Sequence, residues 1–250
     1  MKLIHKFKSP NFDRRKSNKI QFIIIHYTAL KDVDEALNFL CSYNNKVSCH
    51  YLISNKGSIY NLVSEKNRAW HAGQSYWDSI TDINSNSIGI ELDFSPNYNN
   101  SFSKNMIFSL LKLLDIIKKK YKISNKNILA HSDIAPYRKV DPGKKFPWNE
   151  LAKHNFSFSP KKNNKEFIIL LRKWFSFHAF KSKKRIILFM LAYIGYDVSR
   201  SIYDFSCYKL LISNYRSHFF KKYSKNKNNK ETYYFIENHF CTLLLTKEKK

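Results

Sequence analysis

Residues 21–25, Gln-Phe-Ile-Ile-Ile, form an unbroken β-branched and aromatic run, the pattern of a strand buried on both faces. The charged residues 1–20 before it show no period and read as irregular. Residues 34–43 place Ala36, Leu37, Leu40 and Cys41 on one side of a helix. Residues 49–54 and 58–63 read as strands joined by an Asn55-Lys56-Gly57 turn. In residues 87–94 the period switches to two, with Ile88, Ile90 and Leu92 on one face and Gly89, Glu91 and Asp93 on the other. Residues 104–121 predict a long helix and 127–130 a last short strand. Strands interleaved with helices predict an α/β unit, a mixed central sheet flanked by helices, ending near residue 154.

Beyond it the texture changes. Residues 159–165, Ser-Pro-Lys-Lys-Asn-Asn-Lys, read as a polar linker. Residues 166–180, 184–194, 208–223 and 232–245 predict helices, with a charge run at 225–230 between the last two. The expected organisation is an α/β unit over 1–158, the linker, and a small C-terminal helical domain over 166–250. No internal repeat is present.

Composition adjusts this picture in three ways. Aromatic residues make up 16% of the chain, too many for a disordered polymer. The formal charge is +25, a field suited to an anionic partner: nucleic acid, a membrane surface or a carboxylate-rich polymer. Joint abundance of Lys, Asn, Ile, Phe and Tyr is also what AT-rich coding produces, so charge alone assigns no partner. There is no nucleic-acid motif, and the lysines are scattered among asparagines, so nucleic acid is not expected as a ligand. Cys41, Cys49, Cys207 and Cys241 make no C-x-x-C pair and read as free thiols. Residues 1–8 are basic without an apolar core, so no signal peptide is expected, and the apolar window at 186–196 is too short for stable membrane insertion. A cytoplasmic location is therefore expected, with export by another route as the alternative.

Candidate chemistry concentrates in three places. His26 ends the first apolar run. Glu91 sits on the Gly89/Asp93 face of a strand. Residues 130–143 carry His131, Arg138, Lys139 and Asp141 in a proline-bearing loop closed by Asp-Pro-Gly. In an extended turn Lys139 and Asp141, two residues apart, point to one side. A hydrolytic metal site needs about three N or O ligands and an open position, and His26, His131 and Asp141 are the candidates. Any one of them alone is an ordinary residue at a strand end.

Together, however, Ser9-Pro10-Asn11-Phe12-Asp13, Phe22-Ile23-Ile24-Ile25-His26-Tyr27-Thr28, Arg68-Ala69-Trp70-His71-Ala72-Gly73, Ser87-Ile88-Gly89-Ile90-Glu91-Leu92 and residues 130–143 resemble, in order, the N-acetylmuramoyl-L-alanine amidases of the type 2 (AmpD/AmiD-like) family. The resemblance covers about residues 9–155. It implies a type 2 amidase fold and Zn2+ held by His26, His131 and Asp141. It further implies Glu91 as general base and Lys139 as oxyanion stabiliser. Trp70, His71 and Arg138 would bind substrate, with Trp77 either on the cleft wall or packed within its own loop. His50 would be a support for the metal or a packed strand histidine. The implied reaction is hydrolysis of the amide between N-acetylmuramic acid, or its anhydro form, and L-alanine of the stem peptide, in cell-wall degradation or recycling. The implied partners are peptidoglycan or muropeptide fragments. Trp77-Asp78-Ser79 departs from the family, where a glycine commonly follows. Residues 191–198 and 215–220 resemble a degenerate three-helix peptidoglycan-binding module. His5, His154, His178, His218 and His239 have no partners at ligand spacing and read as structural. A peptidoglycan receptor of the same fold is the rival reading, and the presence of all three expected ligands argues against it.

Overall fold

The computed structural model describes residues 2–160, 165–178, 182–220 and 229–247. Within the expected linker, 161–164 lie outside the described residues, as do 179–181 at the end of the first expected C-terminal helix and 221–228 of the charge run and its approach. Among the described residues eight strands form: β1 (Leu3–Ile4), β2 (Phe12–Arg14), β3 (Phe22–Tyr27), β4 (Tyr51–Ile53), β5 (Ile59–Asn61), β6 (Asn67–Ala69), β7 (Ser87–Leu92) and β8 (Ile128–Ala130). Six build a mixed sheet in the order β1-β5-β4-β7-β3-β8, with only β4–β5 antiparallel, and β2 pairs with β6 in a separate ribbon. The segment expected to be irregular before residue 20 thus contributes β1 and β2. Two and three residues are too few to show a period, and their neighbours recruit them.

Helices flank the sheet: α1 (Val33–Cys41), α2 (Ile83–Asn86), α3 (Lys104–Tyr121), α4 (His131–Ile134) and α5 (Trp148–Lys153). The helix α3 has the bounds its periodicity predicts. Ser103 accepts the Met106 amide at its start, and Lys122 leaves it in the left-handed conformation. Met106, Leu110, Leu113, Leu114 and Ile117 bury one stripe of it against Ile23 and Ile25 of β3 and Ile88, Ile90 and Leu92 of β7. Each such side chain contributes roughly 1.5–3 kcal/mol by leaving water. At the sheet's far end α1 packs Ala36, Leu37 and Leu40 on Leu52 and Leu62.

Parallel strands need cover on both faces. Phe22, Ile24 and Leu129 point away from α3, into a second cluster with the C-terminal helices. These are α6 (Lys165–Phe177), α7 (Lys183–Ile194), α8 (Ser199–Tyr203), α9 (Phe205–Phe219) and α10 (Asn229–Lys247). Ile187, Leu188 and Leu191 of α7, Leu211 and Tyr215 of α9, and Ile236 and Phe240 of α10 belong to that cluster. Gly195 ends α7 at φ +131°, and a Cβ there would stand 2.7 Å from Trp77 Cε2. Trp77 is buried and meets the Tyr196 ring edge-on at 4.8 Å. It therefore packs against the C-terminal helices and forms no cleft wall. Among the described residues no helix is long and apolar enough to cross a membrane, and all four cysteines are free.

The turn after Trp77 holds Asp78 at φ +48° and Ser79 at φ +69°, where the Trp77 and Ile80 amides and carbonyls bond each other. Left-handed backbone costs an L-residue about 1–2 kcal/mol and glycine little, which explains the glycine familiar at this turn. Ser79→Gly, at an exposed position, should raise stability by up to about 1 kcal/mol after its unfolded-state entropy is counted. An unchanged or lower urea midpoint would show that the serine conformation is not strained.

Candidate functional site

Register places the chemistry. β3 pairs in parallel with β7 so that His26 stands opposite Glu91, and with β8 so that Ile25 stands opposite Ala130. His131 follows at once as the first residue of α4. The carboxyl ends of adjacent parallel strands thus bring His26, Glu91 and His131 to one edge, the usual place for a site in such sheets. The chain then loops back, and the Ser132 amide donates to the Asp141 carbonyl at 3.0 Å, which seats Asp141 beside His131. The Asp141–Pro142 peptide bond is cis.

Three buried ligand atoms converge. His26 Nδ1 and His131 Nδ1 are 3.0 Å apart, and Asp141 Oδ2 lies 3.2 Å and 3.0 Å from them. The surrounding hydrogen bonds decide where the protons are. Ser87 Oγ donates to the Ile83 carbonyl at 2.7 Å, so it accepts at 3.1 Å from His71 Nε2–H. His71 Nδ1 is then a bare lone pair and accepts His26 Nε2–H at 3.1 Å. Burial, with the His26, His50 and His131 rings nearby, holds His71 well below the ordinary imidazole range. Burial and the His131 ring lower His26 to about 4 against the pull of Asp141. Both rings are therefore neutral at neutral pH, and His26 Nδ1 carries no proton. On the other side His131 Nε2 donates to the Ala72 carbonyl at 3.2 Å, an acceptor only, which leaves Nδ1 as the ring nitrogen that faces His26 and Asp141 as a donor for a metal. Burial opposes ionisation of Asp141, yet the His131 and His26 rings beside it hold its carboxyl well below its usual range.

Two imidazole lone pairs and a carboxylate facing one another leave no proton to bridge them. Such a triangle is unfavourable until a cation sits in it. Its edges are near the roughly 3.3 Å that tetrahedral donors about 2.05 Å from one ion would have. The donor set fits a metal ion.

The triangle opens into a cleft of about 340 Å³, lined also by Trp70, Glu91, Arg138 and Lys139. Glu91 Oε2 and Trp70 Nε1 are buried there without a hydrogen-bond partner among the described residues. Burial and the Asp141 charge raise Glu91 well above the ordinary range, with Lys139 opposing them. Arg138 is exposed at the rim, its Nη2 donating to the Ala72 and Gln74 carbonyls at 2.8 and 2.7 Å. The structure thus brings together every residue expected at the site, with one change of role. His71 was expected to bond substrate, but both its ring nitrogens are engaged, by His26 and Ser87, and it orients His26. His50 touches neither metal-site histidine through hydrogen bonds; it accepts the Gly89 amide at 3.0 Å and ties β4 to β7.

The site also rests on Ser87 and on Asn84, whose Oδ1 accepts the His71 and Ala72 amides. Sequence reasoning set aside His218, which bonds Asp133 Oδ2 at 2.6 Å just beyond the metal-site loop. Neither signal is local, because each partner lies far along the chain. Gly89 belongs to the same set: a Cβ there would stand 2.4 Å from His71 Cγ, so only glycine lets the ring lie against β7. Gly89→Ala should cost about 1–3 kcal/mol by overpacking. A urea midpoint equal to the parent's would mean that the His71 ring has room to retreat.

Comparison with known proteins agrees with this geometry. Residues 16–144 match the family described as N-acetylmuramoyl-L-alanine amidase. The chain is 37% identical over 194 residues to N-acetylmuramoyl-L-alanine amidase AmiD of Escherichia coli K12, covering 72% of this chain and 68% of that protein. It is 36% identical over 160 residues to 1,6-anhydro-N-acetylmuramyl-L-alanine amidase AmpD of Haemophilus influenzae, covering 56% and 86%. Among solved structures, E. coli AmiD in complex with the substrate anhydro-N-acetylmuramic acid-L-Ala-D-gamma-Glu-L-Lys superposes with a TM-score of 0.72 at 30% identity, over 93% of this chain and 91% of that one. AmpDH3 of Pseudomonas aeruginosa with anhydromuramic pentapeptide gives 0.71 at 27%, over 92% of each.

Proposed function

Because this chain belongs to the N-acetylmuramoyl-L-alanine amidase family, we propose that it hydrolyses the amide between N-acetylmuramic acid, or its anhydro form, and L-alanine of the stem peptide. The carrying observation is the convergence of three bare donor atoms at the floor of a cleft that also holds Glu91 and Lys139. The two family relatives with bound muropeptides support the substrate class. In this reading residues 1–158 carry the chemistry, and 166–250 are a helical unit descended from a peptidoglycan-binding module.

His26, His131 and Asp141 would hold the ion, and two imidazoles with one carboxylate around an open position suit Zn2+. Zinc supplies a Lewis acid for the scissile carbonyl and makes water a stronger acid. Glu91, its Oε2 free of protein partners, takes the proton of the attacking water and returns it to the departing alanine nitrogen. A carboxyl whose proton affinity is raised by burial can hold that proton between the two transfers. The Lys139 ammonium compensates the charge that grows on the carbonyl oxygen. Trp70, which lines the cleft, offers an apolar face to the sugar–peptide junction. Arg138, already fixed at the rim, faces the stem-peptide carboxylates, for which a chain of +25 is a favourable partner.

Mass spectrometry of products from anhydromuropeptide and from intact sacculi, each with and without a chelator, tests the reading. Free stem peptide released only without chelator is the expected result, and the substrate that reacts identifies the compartment of action. Zinc bound without release from either substrate would favour the receptor reading. Asp141→Ala should lose zinc and activity together; full occupancy by elemental analysis would remove Asp141 as a ligand. Glu91→Gln should keep zinc and lose turnover by about 10²-fold or more, and near-parental rates would remove Glu91 as the proton carrier.

A further inference from the structure

The loop between His131 and Asp141 is short of internal support. Its own backbone closes through Ser132 and Asp141, and through the Arg138 and Lys139 amides donating to the Ala135 carbonyl. Residues 72–76 hold one side of it, the Tyr76 amide donating to the Ile134 carbonyl at 2.8 Å and Arg138 to the Ala72 and Gln74 carbonyls, and residues beyond 182 hold the other. Asn214 on α9 is buried and donates through Nδ2 to two loop carbonyls, Pro136 at 2.8 Å and Lys139 at 3.1 Å. One amide group thereby spans the turn that aims Lys139 and Asp141. At the loop's other end Asp133 is fully buried. Its Oδ1 accepts the Tyr196 hydroxyl at 2.6 Å; its Oδ2 accepts the Ala130 amide at 2.7 Å and His218 Nδ1 at 2.6 Å. Trp148 stacks on the His218 ring at 3.6 Å, and Ser157 Oγ lies 3.2 Å from its Nε2, which fixes the ring from behind. Tyr137 completes the set, its hydroxyl donating to the Asp197 carbonyl at 2.8 Å.

We propose that the C-terminal helices are a working part of the site: Asn214, with Tyr196 and His218, positions the loop that carries His131, Lys139 and Asp141. This rests on the reading of that loop as catalytic. None of the three lines the cleft, so they are positioning residues that act through Lys139 and the metal-site donors. The geometry asks for an amide at 214. Leucine has the same shape and no donor, so both loop carbonyls would lose their partner. Outer residues that orient metal-site donors typically change affinity or rate by about 10- to 100-fold when removed.

The test uses the full chain as parent, Asn214→Leu, Asn214→Gln and Phe240→Leu. The last lowers packing among Phe175, Phe189 and Tyr193, away from the loop. Each is measured where circular dichroism shows it folded, by amide hydrogen exchange over residues 131–141, by zinc affinity against a chromogenic chelator, and by kcat and KM on anhydromuropeptide. Asn214→Leu should speed exchange in the loop, weaken zinc and lower kcat by about tenfold or more, and leave KM within about twofold. Asn214→Gln should recover part of each loss, while Phe240→Leu should lower Tm and move neither zinc affinity nor kcat. Should Asn214→Leu not fold, Tyr196→Phe, which removes only the hydroxyl on Asp133, takes its place. Unchanged zinc affinity and kcat in a folded Asn214→Leu, or equal losses in Phe240→Leu, would overturn the proposal. A parent that releases no stem peptide would instead overturn the amidase reading, and loop exchange and zinc affinity would still decide the role of Asn214.

Discussion

In-register parallel pairing of β3 with β7 and β8 is the constraint on which the site depends. It sets His26 against Glu91 and ends β8 one residue before His131. A shift of one residue in β3 would turn His26 from the cleft toward α3 and bring Ile25 into its place, because alternate side chains face opposite sides. The Ile23/Ile25 and Phe22/Ile24 sets are both buried, in different clusters, so such a slip exchanges two apolar faces. What distinguishes the registers is the imidazole: out of register it would be buried among Ile88, Ile90 and α3 without its His71 partner.

From that placement a chain of protons follows without further choice. It starts at an acceptor with no alternative, the Ile83 carbonyl, and runs through Ser87 and His71 to His26. A second, shorter chain starts at the Ala72 carbonyl and ends on His131. Each link leaves a nitrogen bare on the side facing the next, and the two chains end by presenting lone pairs to the same point as Asp141. The arrangement stores unfavourable electrostatics in a buried triangle, which a divalent cation would relieve. A cation bound there would also stabilise the folded chain, because the protein already orders the donors.

Much of this was legible in the residues, and the physical reason differs from element to element. The apolar run at β3 and the three-four periodicity of α3 show themselves because burial on two faces, or on one stripe, is written locally. The short strands β1, β2 and β6 are not, since two or three residues show no period and pair only when a neighbour supplies the edge. His26, Glu91, His131 and Asp141 were recognisable as a set only through the resemblance, because their spacing is dictated by strand register and not by helix or turn geometry. The role of His71 was misread for the same reason. Its sequence neighbours are aromatic and cleft-like, while its actual partners, Ser87 and the open space over Gly89, become adjacent only after β7 pairs with β3. His218 was set aside as unpartnered, and its partner Asp133 lies 85 residues earlier.

The C-terminal helices illustrate how a binding signature and a structural duty separate. Residues 191–198 and 215–220 resemble a binding module only in degenerate form, and that signature says nothing about packing. Yet Phe22, Ile24 and Leu129 form a face of a largely parallel sheet, and α3 covers only the opposite one. Left bare, that face would expose fully buried strand residues, at roughly 1.5–3 kcal/mol for each large side chain, against a total stability of about 5–15 kcal/mol. Covering it is thus a condition of folding, independent of whether any wall fragment binds. Elements held there for that reason run past the end of β8, where the loop from His131 to Asp141 emerges with few bonds of its own. Asn214 and His218 on α9, and Tyr196 in the turn after α7, reach that loop from elements that the hydrophobic face already fixes in place, and this is why so polar a set of contacts can be buried and still specific.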